Sequence, residues 1–117
     1  MTLVDVSARA GLQSLSARLC PAARAAWIKR VLDAGVPEAE AGSFVHPRLV
    51  PQMASTEEVL AELRGFEPRL WVLVPNAKGL ERAVAAGAQN VMFLASATEA
   101  HSRANLGRSV AEVLRDL

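Results

Sequence analysis

Leu70-Trp71-Val72-Leu73-Val74-Pro75-Asn76 is the stretch that decides the fold. Five consecutive apolar residues, stopped by Pro75 and Asn76, read as a strand buried on both faces, which is the habit of parallel sheets covered by helices. A helical pattern follows from about Lys78 to Ala86 and ends at Gly87. Working outward, the same alternation recurs. Leu3-Val4-Asp5-Val6 and Val91-Met92-Phe93-Leu94 are short β-like runs, and Glu38-Ala39-Glu40-Ala41 is a weaker one of small and charged residues. Pro21 suits a first helical position, Trp27, Ile28, Val31 and Leu32 make one apolar stripe, and Gly35 stands where a left-handed cap is expected. Ser55-Thr56-Glu57-Glu58 and Ser109 to Glu112 both have the spacing of a capping box. The first precedes Val59, Leu60 and Leu63 and a closing Gly65; the second precedes Val110, Val113, Leu114 and Leu117. Ala34-Gly35-Val36 and Ala86-Gly87-Ala88 repeat one helix-to-strand junction.

Four strands alternating with four helices predict an α/β fold of parallel strands with right-handed crossovers, half of a closed (β/α)8 barrel. The expected organisation is one (βα)4 domain over residues 1–117, cut short within its last helix. Composition agrees with helices lying close on a sheet. Half of the residues are hydrophobic, 22 are alanine, and the aromatics are three Phe and two Trp. Trp27 and Trp71 are expected in the core. A net charge of +1 with no basic run gives no case for nucleic acid. The lone Cys20 excludes an intrachain disulfide and fits a reducing compartment. MTLVDVS has an aspartate at position 5 and no long apolar run, so neither signal peptide nor membrane anchor is expected, and the default is a cytoplasmic protein.

Ligands of parallel α/β folds bind at the carboxyl ends of the strands. Arg9, Gly11 and Gln13 follow the first strand; Glu40, Ser43 and His46 lie at the second; Asn76 and Lys78 follow the third; Ser96, Thr98, Glu99 and His101 follow the fourth. Arg9 has the charge to stabilise an enolate-like oxygen. Each residue also has a plainer reading. Asn76 after Pro75 suits a helix N-cap, His46 and His101 lack the i, i+4 spacing of metal ligands, and Cys20 has no base beside it in sequence.

Read together, these segments resemble a known family. Val4-Asp5-Val6-Ser7-Ala8-Arg9-Ala10-Gly11-Leu12-Gln13 is similar to the V-E-V-G-P-R-D-G-L-Q signature of hydroxymethylglutaryl-CoA lyases. Glu40-Ala41-Gly42-Ser43-Phe44-Val45-His46-Pro47 with Val50-Pro51-Gln52-Met53 resembles their E-A-T-S-F-V-S-P…V-P-Q-M segment. Val72 to Leu80 resembles the next strand–helix junction, and Ser96-Ala97-Thr98-Glu99 with Asn105 resembles S-A-S-E…N. The resemblance is collinear over nearly the whole chain.

It implies an eight-unit barrel that cleaves a 3-hydroxyacyl-CoA thioester to acetyl-CoA and a keto acid with a divalent cation, magnesium or manganese. By the same resemblance Arg9 would steady the enolate, Glu40 would lie near metal and substrate, and Gln13, Ser43 and Asn76 would contact substrate. The departures are equally specific. The family's metal-ligand aspartate is Ala10 here, its Gly-Pro is Ser7-Ala8, and its threonine before S-F-V is Gly42. A methyl group offers no oxygen to a hard cation. The family's other ligands, a His-x-His pair and an asparagine, and its catalytic cysteine belong to the second half-barrel, and Cys20 does not replace that cysteine. The expectation is therefore a chain that is inactive alone and associates with itself or with a second half-barrel. The alternative is a non-catalytic remnant acting as a binding or assembly module.

Overall fold

The computed structural model describes residues 1–116; Leu117, placed on the last helical stripe from sequence, lies outside them. Four strands form one sheet in the order β1 (Val4–Asp5), β2 (Glu38–Ser43), β3 (Leu70–Val74), β4 (Asn90–Phe93), every pairing parallel. Helices α1 (Pro21–Asp33), α2 (Thr56–Glu62) and α3 (Ala77–Ala85) make the crossovers, and α4 (Glu99–Leu106) and α5 (Val110–Leu114) follow β4. Pro21 opens α1 as expected, and Gly35 closes it with φ +96°, a conformation open to glycine because it has no Cβ.

One face of the sheet carries the core. Leu70, Val72 and Val74 of β3 and Ala39 and Ala41 of β2 are buried with Ala25, Ile28 and Leu32 of α1 and Val59, Leu60 and Leu63 on and beside α2. The alanines let the helices lie close. β2, the faintest strand in sequence, is the longest and the most buried one. Its small residues are what a strand between two close helix layers requires, and its charges have partners. Glu38 accepts from Trp71 Nε1 at 2.6 Å and Glu40 from Arg9.

Three expectations are corrected, and one element was not anticipated. Trp27 is 44% exposed, not core; its indole N–H donates to Ser7 Oγ at 2.9 Å, and the buried stripe of α1 is Arg24, Ala25, Ile28 and Leu32. Ser55 forms no capping box, because its left-handed backbone (φ 62°) differs from the extended geometry that aims an N-cap side chain at the first turn. Thr56 Oγ1 instead donates back to the carbonyls of Met53 and Ser43. Among the described residues there are five α-helices where the sequence predicted four. α4 carries no apolar period; it is held by the Thr98 N-cap, the buried Ser102 whose Oγ donates to Arg108 O at 2.7 Å, and Gly107 at its end. Finally, a π-helical turn at Ser7–Gly11 follows β1 without a sequence signal. The second capping box is present in full, with Ser109 and Glu112 bonding reciprocally.

Candidate functional site

β2 pairs with β3 through Glu40↔Trp71 and then Gly42↔Val72 and Ser43↔Leu73, leaving Ala41 as a bulged residue. Side chains alternate faces along a strand, so residues three apart ordinarily point opposite ways. The bulge cancels one step, and Glu40 and Ser43 share the face of Trp71 and Leu73, opposite the helices. Gly42 meanwhile faces the helices at a contact no side chain fits: a Cβ would lie 2.5 Å from Thr56 Oγ1 and 2.7 Å from Arg24 Nη2.

Arg9 reaches this face from the π-helical turn, and its Nε donates to Glu40 Oε2 in an ion pair whose acid side chain is 6% exposed. The turn is fixed at its start by Asp5, whose Oδ1 accepts from Ser7 N at 3.0 Å and Ser7 Oγ at 2.6 Å. Of the residues singled out in sequence, the structure joins Arg9 to Glu40 and, separately, His101 to Ser96 by side-chain hydrogen bonds. Gln13 is exposed, and among the described residues no hydrogen bond joins it to the pair. Ser43 is buried, its carbonyl bonded to Thr56 and its hydroxyl without a partner among the described residues. Asn76 is the N-cap of α3, accepting from Gly79 N at 2.9 Å. His101 Nδ1 lies 2.9 Å from Ser96 Oγ at the start of α4, and His46 Nδ1 accepts from Arg48 N at 3.2 Å. Cys20 is exposed.

Sequence reasoning missed Arg24. Its guanidinium is buried, with Nη2 donating to Ala41 O at 2.9 Å and Nη1 to Ala54 O at 3.2 Å. Burial pushes its pKa down. The available signal was spacing: Arg24, Ile28 and Leu32 lie four apart on one helical face.

The donor set does not suit the divalent cation that the resemblance implies. Ala10, at the position the resemblance gives to a ligand, offers only a methyl group, the Glu40 carboxylate is bonded to a guanidinium, and among the described residues no three of His, Cys, Asp and Glu come together. What the arrangement can do is hold a positive charge, partly neutralised, at the carboxyl end of the first two strands.

The HMGL-like family model matches residues 1–117, and the chain belongs to that family of lyases. It is 43% identical to (R)-citramalyl-CoA lyase of Chloroflexus aurantiacus, over 97% of this chain and 39% of that enzyme. It is 38% identical to the mitochondrial hydroxymethylglutaryl-CoA lyase of Arabidopsis thaliana, over 96% of this chain and 24% of that enzyme. Its fold superposes with a TM-score of 0.90 on the HMG-CoA lyase of Brucella melitensis, at 40% identity, over 98% of this chain and 41% of the other. The HMG-CoA lyase of Acinetobacter baumannii, solved with coenzyme A and 3-methylmalate, superposes at 0.86 with 30% identity, over 98% of this chain and 38% of the other. The four parallel strands thus match part of the barrel of these lyases, and the chain spans about two-fifths of the solved chains. Among the described residues no helix is long and apolar enough to cross a membrane.

Proposed function

We propose that residues 1–117 form one (βα)4 unit serving as the N-terminal half of a carbon–carbon lyase barrel acting on a 3-hydroxyacyl-CoA. The observation that carries this reading is the Arg9–Glu40 pair at the carboxyl end of β1 and β2. In the proposed reaction the substrate hydroxyl loses its proton, the C2–C3 bond breaks to leave a keto acid, and its electrons form the thioester enolate, which takes a proton to become acetyl-CoA. Arg9 supplies charge-assisted hydrogen bonds to the enolate oxygen, and such an interaction lowers the barrier because it strengthens as charge develops. Glu40 orients the guanidinium, and Gln13, Ser43 and Asn76 line the substrate's approach. The base that takes the hydroxyl proton and the acid that returns one to the enolate belong, in this reading, to the second half of the barrel.

The unit is inactive alone in this reading, since Ala10 stands at the ligand position and the remaining groups would come from a second half-barrel. Both outer strands leave backbone groups free to pair, so the proposed partner is a second half or another copy of the chain. A compact, stable monomer by light scattering would count against association. No nucleic acid or membrane enters the proposal. A cytoplasmic location belongs to it, on the strength of the lone free Cys20.

A second reading, a non-catalytic remnant kept for binding or assembly, is favoured by one observation: Ala10 stands where the resemblance places a metal-ligand aspartate. The experiment is acetyl-CoA release from 3-hydroxy-3-methylglutaryl-CoA with magnesium or manganese, using the chain and its Arg9→Ala variant, alongside calorimetric binding of coenzyme A. Turnover by the chain alone, lost in the variant, overturns its inactivity. Coenzyme A binding without turnover supports the half-barrel, and neither supports the remnant.

A further inference from the structure

We infer that Arg24 is a positioning residue for the Arg9–Glu40 pair, acting through the β2 bulge; the inference rests on the reading of that pair as the functional centre. Ala41 is the bulged residue between Glu40 and Gly42, and a bulge takes a carbonyl out of the ladder. A buried carbonyl needs a donor, and Arg24 Nη2 supplies it at 2.9 Å. Nη1 reaches Ala54 O at 3.2 Å and Gln52 O at 3.5 Å, tying the bulge to the 3-10 turn Pro51–Met53. Gly42, next in sequence, leaves room for the guanidinium: a Cβ there would lie 2.7 Å from Nη2.

The composition of this contact is what an ordinary core would avoid. Arg24 is 1% exposed, its hydrogen-bond acceptors are three carbonyl oxygens and the Met53 sulfur, and no carboxylate is among them. Its Nε has no partner among the described residues. A buried cation without an anion is expensive, and an apolar side chain on the helix would pack at lower cost. What the arginine does that a hydrophobe cannot is satisfy the bulge. Without the bulge, Glu40 would keep its register opposite Trp71 while Ser43 turned to the helix face, and the local twist that aims the Glu40 side chain at Arg9 would relax. Sequence separates the two groups by sixteen residues of helix and strand, yet one hydrogen bond at Ala41 joins them.

The test reads the pair itself and not turnover. In a 15N-labelled chain the Arg9 Nε–H signal, identified by its loss in Arg9→Lys, reports protection by Glu40. Arg24→Lys keeps the charge but, as a point donor, cannot bridge the Ala41 and Ala54 carbonyls as a planar fork does. Gly42→Ala keeps the arginine and pushes its head away. Both are expected to stay folded by amide dispersion and to lose the protected Arg9 signal. Arg69→Lys disturbs another carbonyl-bound arginine, away from the bulge, and should leave the signal in place.

Folded Arg24→Lys or Gly42→Ala chains with an unchanged Arg9 signal overturn the inference. So does equal loss in Arg69→Lys, which would make the effect one of general stability. If one of the two bulge variants fails to fold, the other decides; if both fail, the bulge serves the whole sheet and a role specific to the pair is overturned. A chain that shows neither turnover nor coenzyme A binding but gives the expected signal changes sinks the functional reading alone.

Discussion

The Arg9 guanidinium and the Glu40 carboxylate, 31 residues apart in the chain, form an ion pair across the first two strands with side-chain exposures of 20% and 6%. Removing one partner of such a pair strands the other charge. Arg9→Met is expected to destabilise the chain by roughly 3 kcal/mol, more than Glu40→Met, while the two combined lie within about 1 kcal/mol of wild type. Urea denaturation of the four proteins measures this; additive losses would show that the pair is not energetically coupled.

Arg69 closes the junction between α1 and β2. Its Nε donates to Pro37 O at 2.7 Å and its Nη2 to Val36 O at 2.6 Å and Leu32 O at 3.2 Å. Arg69→Met leaves these carbonyls without their donor and should cost about 2 kcal/mol. Amide exchange in the last turn of α1 should rise in the variant. Unchanged exchange there would place the loss elsewhere.

Low pH should open the start of α5. The backbone N–H of Ser109 and then its hydroxyl hold the Glu112 pKa below its ordinary 4.5, and the bond from Arg108 holds Asp116 below its ordinary 3.8. A lowered folded pKa stabilises above the unfolded value, and that stabilisation is lost as pH falls through the folded one. Protection of the Ser109 amide, its exchange relative to an unstructured chain at the same pH, should therefore fall below these ordinary values and hold steady above them. Loss of protection near neutral pH would contradict the assignment.

Asn76→Ala should cost about 1 kcal/mol by removing the α3 N-cap, and Asn76→Asp should recover most of it. A thermal melt distinguishes this from a purely ligand-directed residue, for which neither change would move the midpoint.

How much of this was legible in the sequence varies by element. β3 was plain because an unbroken apolar run has few other uses in a chain this size. β2 was faint because its burial depends on alanines meeting helices and on Glu40 finding a partner 31 residues away. α4 was invisible because Thr98, Ser102 and Gly107 hold it by caps and a buried hydroxyl instead of an apolar stripe. At the site, Arg9 and Glu40 came from motif resemblance and do meet. Arg24 did not appear, since an arginine among alanines on a helix reads as a solvated surface group until the bulge it serves is known.

The strand order β1-β2-β3-β4 follows the chain without exception. Each ladder therefore closes a loop of only a few tens of residues, and no pairing waits for a distant segment, which keeps the entropic barrier to assembly low. The sheet can grow by accretion, with β2 and β3, the two most buried strands, as its nucleus and the two-residue β1 joining last. Arg9 enters with β1, so its pairing with Glu40 is a late event of folding, and the centre forms only on a sheet already built.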